Sequence, residues 1–333
     1  MPLRSSLAAA ALLLLPSSSP GPLAPPASSA MWNDVGHMTM AAIAYEQLAP
    51  DVRARVDSLL RMHPDYAVLT RGLAAGTPDF GERVFMRAST WPDLIKGDPR
   101  FYNEARQQAT PTPPLPGFPD MQQHRSWHYL DEPLSADGTP PEEPRGPSAL
   151  TQIASFARAV GDRNVPAATQ AYDLSWLLHL VGDVHQPLHA ISRFSQVHAR
   201  GDAGGNAVRL QSGPAAGDTI NLHAFWDGLL GRDRNPDPVI ALARRIVAET
   251  PPVASSETAV RGDSTLEPTV KDWIDESATL ARYFVYTVGP ERADGQRTRV
   301  TPEYRALAEQ IARRRVALAG YRMANLLTAR LRK

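Results

Sequence analysis

The chain has 333 residues, of which 43% are hydrophobic, and its 35 lysines and arginines balance 35 aspartates and glutamates. This length and composition support a substantial core in one large domain or two modest ones, and the balanced charge excludes a global basic field that would attract nucleic acid or an anionic membrane. The chain has no cysteine, which excludes disulfides, zinc–thiolate sites and cysteine nucleophiles. Any metal ion must therefore be held by His, Asp, Glu or backbone groups.

The first 31 residues are typical of a secretory signal peptide. Arg4 precedes the apolar run LAAAALLLLP, and a Pro- and Ser-rich stretch leads to ASSA, with small residues at Ser28 and Ala30. The apolar run is too short to span a membrane, and we find no later candidate span. We expect a secreted or periplasmic protein, and the lack of disulfides and of N-glycosylation acceptors favours a bacterial one.

Helical patterns dominate the rest of the chain. Asn33 and Asp34 are suited to cap a first helix, VGHMTMAAIAYEQL. Apolar residues with helical spacing recur in four later segments, at 153–160, 174–181, 273–284 and 304–311. NAVRLQ and TINLH, separated by a turn with Gly and Pro, predict a small hairpin. We therefore predict an all-α fold class: a single, mostly helical domain over residues 32–333, with at most a small β-hairpin.

The stretch HLVGDVHQPLH, residues 179–189, places three histidines and an aspartate in eleven positions. His179 and Asp183 are four residues apart, so on a helix their side chains lie on one face, close enough to share a metal ion. Pro187 ends or kinks that helix, which lets His189 turn back toward the same place. The alternative is a solvated pair on a polar face, which the apolar stripe at positions 174, 177, 178 and 181 disfavours.

Four other runs carry a histidine or an acid among aromatic or helix-start residues. His37 follows MWNDVG, His128 lies in SWHYLD, His223 stands four residues before Asp227, and Asp93 lies in STWPDLIK. Each has a simpler interpretation: His128 as an edge-strand or loop residue, His223 as the half-buried partner of Asp227, and Asp93 as a helix N-cap. Two His-x-x-x-Asp pairs in a cysteine-free chain nevertheless favour several zinc ions. We interpret the remaining histidines as exposed residues or as supports outside the ligand set: His63, His124, His185 and His198.

The order of these motifs resembles that of the zinc-dependent single-strand nucleases of the S1/P1 family, which are related to zinc phospholipase C. The motifs are Trp-x4-His, Trp-x-Asp, His-aromatic-x-Asp, His-x3-Asp-x5-His and His-x3-Asp, and they extend from Trp32 to Asp227. The resemblance implies an all-α fold that holds three Zn²⁺ ions in a cleft. It also implies hydrolysis of single-stranded DNA and RNA to 5′-phosphorylated products by a metal-activated hydroxide, and removal of 3′-phosphates from nucleotides.

The resemblance also implies the ligands of each zinc ion. Asp183 bridges two ions, and the first residue of the mature chain supplies its free amine and its carbonyl group. That amine requires cleavage after Met31, although the small-residue rule favours cleavage after Ala30. The implied ligands are Asp93, His128, His179 and Asp183 for one ion, His189, His223 and Asp227 for a second, and Trp32, His37 and Asp183 for the third.

Catalytic and substrate-binding roles follow from the same resemblance. The zinc pair that Asp183 bridges carries the hydroxide, Asp93 helps to orient it, and the zinc held by His189, His223 and Asp227 stabilises the departing 3′-oxygen. Lys96 stands where fungal relatives tend to carry a phosphate-binding arginine; it keeps the charge but loses the bidentate fork, and its alternative is an ordinary surface lysine. Tyr129 and Asp131 occupy positions that stack a nucleobase and hydrogen-bond its edge. Because stacking needs an unpaired base, these positions favour single strands.

Two alternatives remain at this point. A secreted zinc phospholipase C has a similar fold and ligand pattern and also cleaves a phosphodiester, whereas a non-catalytic protein would use zinc only to stabilise its fold. A structural zinc site is closed and usually four-coordinate, while the ligand sets here leave positions open for water and substrate. We therefore predict an enzyme that acts on single-stranded nucleic acid and nucleotides, with no stable protein partner and no transmembrane segment.

Overall fold

The computed structural model describes residues 33–213, 217–251, 266–288 and 297–332. The predicted signal peptide and Trp32 lie outside the described residues. Within these ranges the chain is mostly helical, and none of the helices is long and apolar enough to cross a bilayer. The helices are α1 Asp34–Gln47, α2 Pro50–Leu60, α3 Tyr66–Thr70, α4 Phe80–Ala88, α5 Trp91–Leu94, α6 Ala149–Gly161, α7 Ala167–Asp183, α8 Leu222–Asp227, α9 Pro236–Glu249, α10 Leu266–Tyr283 and α11 Pro302–Leu331.

The described strands are short and form two small sheets. β1 Glu132–Ser135 pairs in parallel with β2 Ile191–Phe194, while β3 Arg209–Gln211 pairs antiparallel with β4 Thr219–Asn221 and parallel with β5 Thr298–Arg299. The β3–β4 pair confirms the predicted hairpin within a mostly helical fold. The two parallel pairs were not predicted, because strands this short carry little periodic signal and their partners are distant along the chain.

Helix α1 is enclosed by four other helices. Its N-cap is Asn33, whose side-chain oxygen accepts the N–H groups of Val35 and Gly36, as the sequence predicts. Every residue from Val35 to Tyr45 is buried, and α1 packs against α4, α7, α9 and α11. A helix that is buried on all sides needs apolar or small residues all round it, which explains the run MTMAAIA.

Helix α7 is buried from Gln170 to its end at Asp183 and packs mainly against α6 and α1. Gln186 then has an extended backbone, as residues before proline usually do, and Pro187–His189 forms a 3-10 turn. This turn brings His189 Nδ1 to 3.4 Å from Asp183 Oδ1. The predicted return of the chain toward the end of the helix is therefore confirmed.

Helices α1 and α11 approach each other closely at Gly320. A Cβ atom added to Gly320 would lie 2.6 Å from Ile43 Cγ2 and 3.1 Å from the carbonyl oxygen of Met40. The first distance is shorter than van der Waals contact allows, so the absence of a side chain lets the two helices come this near. The contact fixes the position of α1, which carries His37 near its start.

We predict that Gly320→Ala lowers the free energy of unfolding by about 1–2 kcal/mol, because overpacking of the α1–α11 contact costs about 2–3 kcal/mol and alanine gains only roughly 1 kcal/mol in helix propensity. Urea unfolding measures the change. Gly97→Ala is the matched control, since a Cβ atom there meets nothing within 4 Å, and its stability should stay within about 0.5 kcal/mol of wild type. Equal unfolding midpoints for Gly320→Ala and wild type would contradict the importance of this contact.

Candidate metal centre

Eight of the predicted ligands lie together in the protein interior, around the end of α7. They are carried by α1, α5, α7, α8 and two 3-10 turns, Arg125–His128 and Pro187–His189. The ligand atoms within each of three groups lie within 4.8 Å of one another. The groups are His37, Asp93 and His179; His128, His179 and Asp183; and His189, His223 and Asp227.

The simpler interpretations of the candidate ligands hold only in part. His128 ends a 3-10 turn and is fully buried, so it is not an edge-strand residue. The N-cap of α5 is Thr90, so Asp93 lies inside that helix rather than capping it. His223 lies 3.5 Å from Asp227, which confirms that pairing, and both residues also belong to a group that could hold a metal ion.

Asp183 lies between the imidazoles and faces them with different oxygens. Its Oδ2 atom is 3.0 Å from His128 Nδ1 and 3.1 Å from His179 Nε2. Its Oδ1 atom is 3.3 Å from His37 Nε2. A carboxylate that bridges two metal ions needs one oxygen directed toward each, and Asp183 has this arrangement.

Backbone carbonyl groups fix the tautomers of three imidazoles. The Nδ1–H groups of His179, His189 and His223 donate to the carbonyl oxygens of Ser89, His128 and Gly204, at 2.8, 2.9 and 2.8 Å. The proton of each neutral ring therefore lies on Nδ1, and the Nε2 atom presents a lone pair. Hydrogen bonds of this kind are typical of metal-ligating histidines.

Several nitrogen and oxygen atoms of this centre would be stabilised by a bound cation, because the described part of the protein places no hydrogen-bond donor beside them. His128 Nε2, His189 Nε2 and Asp227 Oδ2 are buried and have no hydrogen-bond partner within the described residues, while Gln186 Nε2 donates to Asp227 Oδ1 at 2.8 Å. Imidazole lone pairs and carboxylate oxygens repel when they converge without a proton or metal ion between them. Nitrogen and oxygen donors in small groups are the ligands that zinc prefers when cysteine is absent.

The protonation states expected from burial also suit ligation. Burial lowers the pKa of His128 and of His223 to about 3, so both rings are neutral at pH 7. Burial raises the pKa of Asp183, but the surrounding imidazoles outweigh this effect and hold it well below its usual value. Metal ligands must be neutral imidazole and ionised carboxylate, and these three groups already favour those forms. Burial lowers the pKa of His179, but Asp183 and Asp93 outweigh this effect and raise it, and burial raises the pKa of Asp227 well above its usual value, so these two groups would release protons when a metal ion binds.

Lys96 is part of the centre rather than an ordinary surface lysine. Its ammonium group lies 2.6 Å from Asp93 Oδ1, and only 13% of its side chain is exposed. Burial raises the pKa of Asp93, but the Lys96 ammonium and nearby imidazoles outweigh burial and hold it below its usual range. Asp93 Oδ1 in turn lies 3.6 Å from His179 Nε2. The Lys96–Asp93 ion pair therefore connects the predicted ligands to the cleft that Lys96 lines.

A cleft of about 190 Å³ opens from the metal centre. Tyr129 and Asp131 both line it, beside two predicted ligands, and 39% of Tyr129 is exposed. Burial, with a contribution from the nearby Asp202, raises the pKa of Asp131 to about 7. The sequence analysis identified five of the lining residues and missed Arg125, Leu188, Ala203 and Asn206, and the complete lining is Lys96, Arg125, Tyr129, Asp131, Leu188, His189, Ala203, Asn206 and His223.

Three histidines that the sequence analysis placed outside the ligand set are buried, so their interpretation as exposed residues is wrong. His63 Nδ1 accepts a backbone N–H group, and His124 Nε2 lies 2.9 Å from Asp120. His185 Nε2 lies 2.8 Å from a guanidinium nitrogen of Arg322. Among the described residues none of the three belongs to a ligand group, so each is stabilised by protein partners instead.

The described chain begins beside the metal centre. The Asn33 N–H group donates to the carbonyl oxygen of Asp227 at 3.4 Å. Trp32 lies outside the described residues, so its ligation remains a prediction.

The sequence matches a family model for S1/P1 nucleases over residues 32–332. The chain belongs to the S1/P1 nuclease family. Nuclease S1 of Aspergillus oryzae is 22% identical over 202 residues, which cover 59% of this chain and 53% of that relative. Nuclease PA3 of Penicillium sp and nuclease P1 of Penicillium citrinum are each 26% identical over 219 residues, which cover 60% of this chain and 74% of each relative. The match thus spans about half the length of the Aspergillus relative.

Gly182 allows His37 to lie against α7. The His37 ring stacks on that of His179 with 3.9 Å between centroids, and a Cβ atom added to Gly182 would lie 2.7 Å from His37 Nδ1. The glycine therefore sets the distance between the first and seventh helices at the centre.

We predict that Gly182→Ala displaces the His37 ring and weakens zinc binding by about 10–100-fold, the range found when groups that orient metal ligands are changed. Titration of the metal-free protein with zinc, followed by metal analysis, measures the effect. Gly217→Ala is the control, because a Cβ atom there meets nothing within 4 Å. Unchanged zinc affinity in Gly182→Ala would mean that His37 is not a ligand.

Proposed function

We propose that this protein is a secreted, zinc-dependent phosphodiesterase that hydrolyses single-stranded DNA and RNA to 5′-phosphorylated products and removes 3′-phosphates from nucleotides. Membership of a nuclease family supports this class of reaction. The proposal is carried by the three buried imidazoles whose Nδ1–H groups are held by carbonyl groups, so that their Nε2 lone pairs are available to a cation. Zinc is the cation that such a cysteine-free site and the family both favour.

Three zinc ions suit the proposed site. Bound zinc supplies Lewis acidity, which activates water at neutral pH and offsets the negative charge of the phosphodiester. Asp183 faces imidazoles with both oxygens and serves as the bridge. The proposed ligands are Asp93, His128, His179 and Asp183; His189, His223 and Asp227; and His37, Asp183 and the amine and carbonyl groups of Trp32, which requires a mature chain that starts at Trp32.

Lys96 and Asp93 orient the reacting groups. Lys96 lines the cleft together with His189 and His223, so its ammonium group can bind the phosphate that lies against that pair of ligands. The 2.6 Å contact with Asp93 holds the ammonium group in place. A lysine gives the phosphate a point charge rather than the two-pronged contact of an arginine. Asp93 would also supply a ligand oxygen and help to orient the attacking water.

Tyr129 and Asp131 bind the nucleobase. The partly exposed Tyr129 ring offers a stacking surface that accepts any base. The raised pKa of Asp131, about 7, lets its carboxyl group donate as well as accept a hydrogen bond near neutrality. A base in a duplex presents neither its face nor its pairing edge, so this pair of residues favours single strands.

The first experiment tests the reaction class with four substrates: single-stranded DNA, RNA, a 3′-nucleotide and phosphatidylcholine. We expect hydrolysis of the first three, loss of activity with a chelator and recovery with zinc. Hydrolysis of phosphatidylcholine alone would identify a phospholipase C instead. Absence of all hydrolysis in the zinc-loaded protein would identify a non-catalytic zinc protein.

Asp183→Asn tests the bridge. Changes to groups that merely support a ligand cost about 10–100-fold in metal affinity or activity, so loss of a ligand shared by two ions should reduce activity by more than about 100-fold. Zinc content, measured on the purified variant, should fall as well. Asp233→Asn is the control: Asp233 is exposed and accepts one backbone N–H group, which an asparagine also accepts. Full activity and full zinc content in Asp183→Asn would refute the proposed bridge.

Tyr129→Ala tests base stacking. Loss of one stacked base weakens binding by about 1–3 kcal/mol, so KM for a 3′-nucleotide should rise by roughly 5- to 150-fold. KM for a phosphodiester without a base should change much less, and Tyr129→Phe should keep most of the affinity. Equal losses on both substrates would indicate that Tyr129 serves only in packing.

A further inference from the structure

Arg125 lies in the cleft but has no role in the proposed reaction. It is the first residue of the 3-10 turn that ends on His128, and it lines the cleft together with Lys96, Tyr129 and His189. The residue is partly exposed. Its backbone N–H group donates to Glu104 Oε1 at 3.0 Å, which fixes the start of the turn.

A buried amide positions the guanidinium group of Arg125. Arg125 Nε donates to Gln123 Oε1 at 2.9 Å, and Gln123 Nε2 donates to the carbonyl oxygens of Lys96 and Phe101 at 3.2 and 3.1 Å. The Gln123 side chain is 7% exposed. One amide group therefore connects the side chain of Arg125 to the main chain of Lys96, so the two cations of the cleft are held relative to each other.

The turn that carries Arg125 starts with a strained residue. His124 has φ of 46°, in the left-handed region, although it is not a glycine. Its ring stacks on Trp127 at 3.4 Å between centroids and lies 2.9 Å from Asp120 Oδ1. Such backbone strain persists where surrounding contacts enforce it, often at binding sites. The contacts of His124 thus hold Arg125 in the lining of the cleft against a local preference for another backbone conformation.

The guanidinium group of Arg125 forms no ion pair in the part of the protein that the structure describes. Its Nη groups make no hydrogen bond or ion pair within residues 33–213, 217–251, 266–288 and 297–332. Lys96, by contrast, is paired with Asp93, next to the metal ligands. The hydrogen bonds of Arg125 within the described residues go to Glu104 and Gln123 and not to the predicted metal ligands, so its two Nη groups are available in the cleft.

We propose that Arg125 binds a second phosphate of a single-stranded substrate, in the linkage next to the one that is cleaved. A guanidinium group whose Nε is already bonded still offers its two Nη groups to phosphate oxygens. Arg125 thereby favours strands over mononucleotides, whose single phosphate lies at the metal centre. This inference rests on the proposed function and assigns a subsite for the flanking nucleotide.

The test compares zinc-loaded wild type, Arg125→Met and Arg125→Lys on a single-stranded oligonucleotide and on a 3′-mononucleotide. In Arg125→Met, the ratio of the KM for the oligonucleotide to the KM for the mononucleotide should rise about tenfold, the low end of the effect of a hydrogen bond to a charged group. The loss should appear in KM rather than in kcat. Arg125→Lys keeps the charge and should recover part of the affinity.

Salt dependence gives a second measurement that a merely structural role would not change. The slope of log KM against log salt concentration for the oligonucleotide should become shallower by about 0.7 in Arg125→Met, the contribution of one phosphate contact in a single strand. Arg245→Met is the control, because it removes the same charge from an exposed residue of α9 that lies outside the cleft lining. Its slope should equal that of wild type.

The outcomes separate this inference from the proposed function. Equal rises in KM for both substrates, or an unchanged salt slope, would overturn the second phosphate contact while leaving the nuclease function intact. Failure of the wild-type protein to cleave any strand would instead overturn the proposed function, and the subsite with it. A tenfold change in the KM ratio together with the shallower slope would support the inference.

Discussion

The structure depends on a fully buried carboxylate, Asp183, whose oxygens have imidazole nitrogens of four histidines within 3.0–3.4 Å. Burial of such a group is costly unless hydrogen bonds or positive charge compensate for it. The imidazoles compensate only in part, because His179 and His189 have their Nδ1 protons committed to backbone carbonyl groups. A bound cation would therefore complete the cluster. Because α7 is buried, water cannot solvate the Asp183 carboxylate in place of a cation.

The C-terminal helix stabilises the segment that follows Asp183. Arg315 Nε donates to the carbonyl oxygen at position 185 at 3.1 Å, and Ser277 Oγ donates to that at position 184 at 2.6 Å. Arg315 and Arg322 each pair with Glu276 at 2.7 Å. Glu276 is 41% exposed, and ion pairs that water reaches contribute little net stability, but these contacts fix the direction in which the chain leaves α7. They therefore set the position of the ligands before the segment relative to those after it.

Features that depend on local spacing could be predicted from the sequence. The Asn33 cap, the β3–β4 hairpin and the joint placement of Asp183 and His189 all follow from residues that are close along the chain. The burial of His124 could not be predicted, because it depends on stacking and pairing within a turn of unusual backbone conformation. Arg125 has no periodic signal, and its distance of three residues from a ligand was the only available indication of its place in the cleft.

The charge of the site explains how a chain with no net charge is suited to an anionic substrate. Lys96 and Arg125 bring two positive charges to the cleft. The centre beside the cleft carries three acidic side chains, Asp93, Asp183 and Asp227. Without a metal ion, phosphate would therefore meet more acidic groups than basic ones. On the proposed function, three Zn²⁺ ions against these three carboxylates would leave a local charge of about +3. Metal binding would therefore reverse the electrostatic character of the cleft as well as supply the chemistry. Affinity for nucleic acid is then coupled to metal loading, because phosphate and zinc each stabilise the other's site.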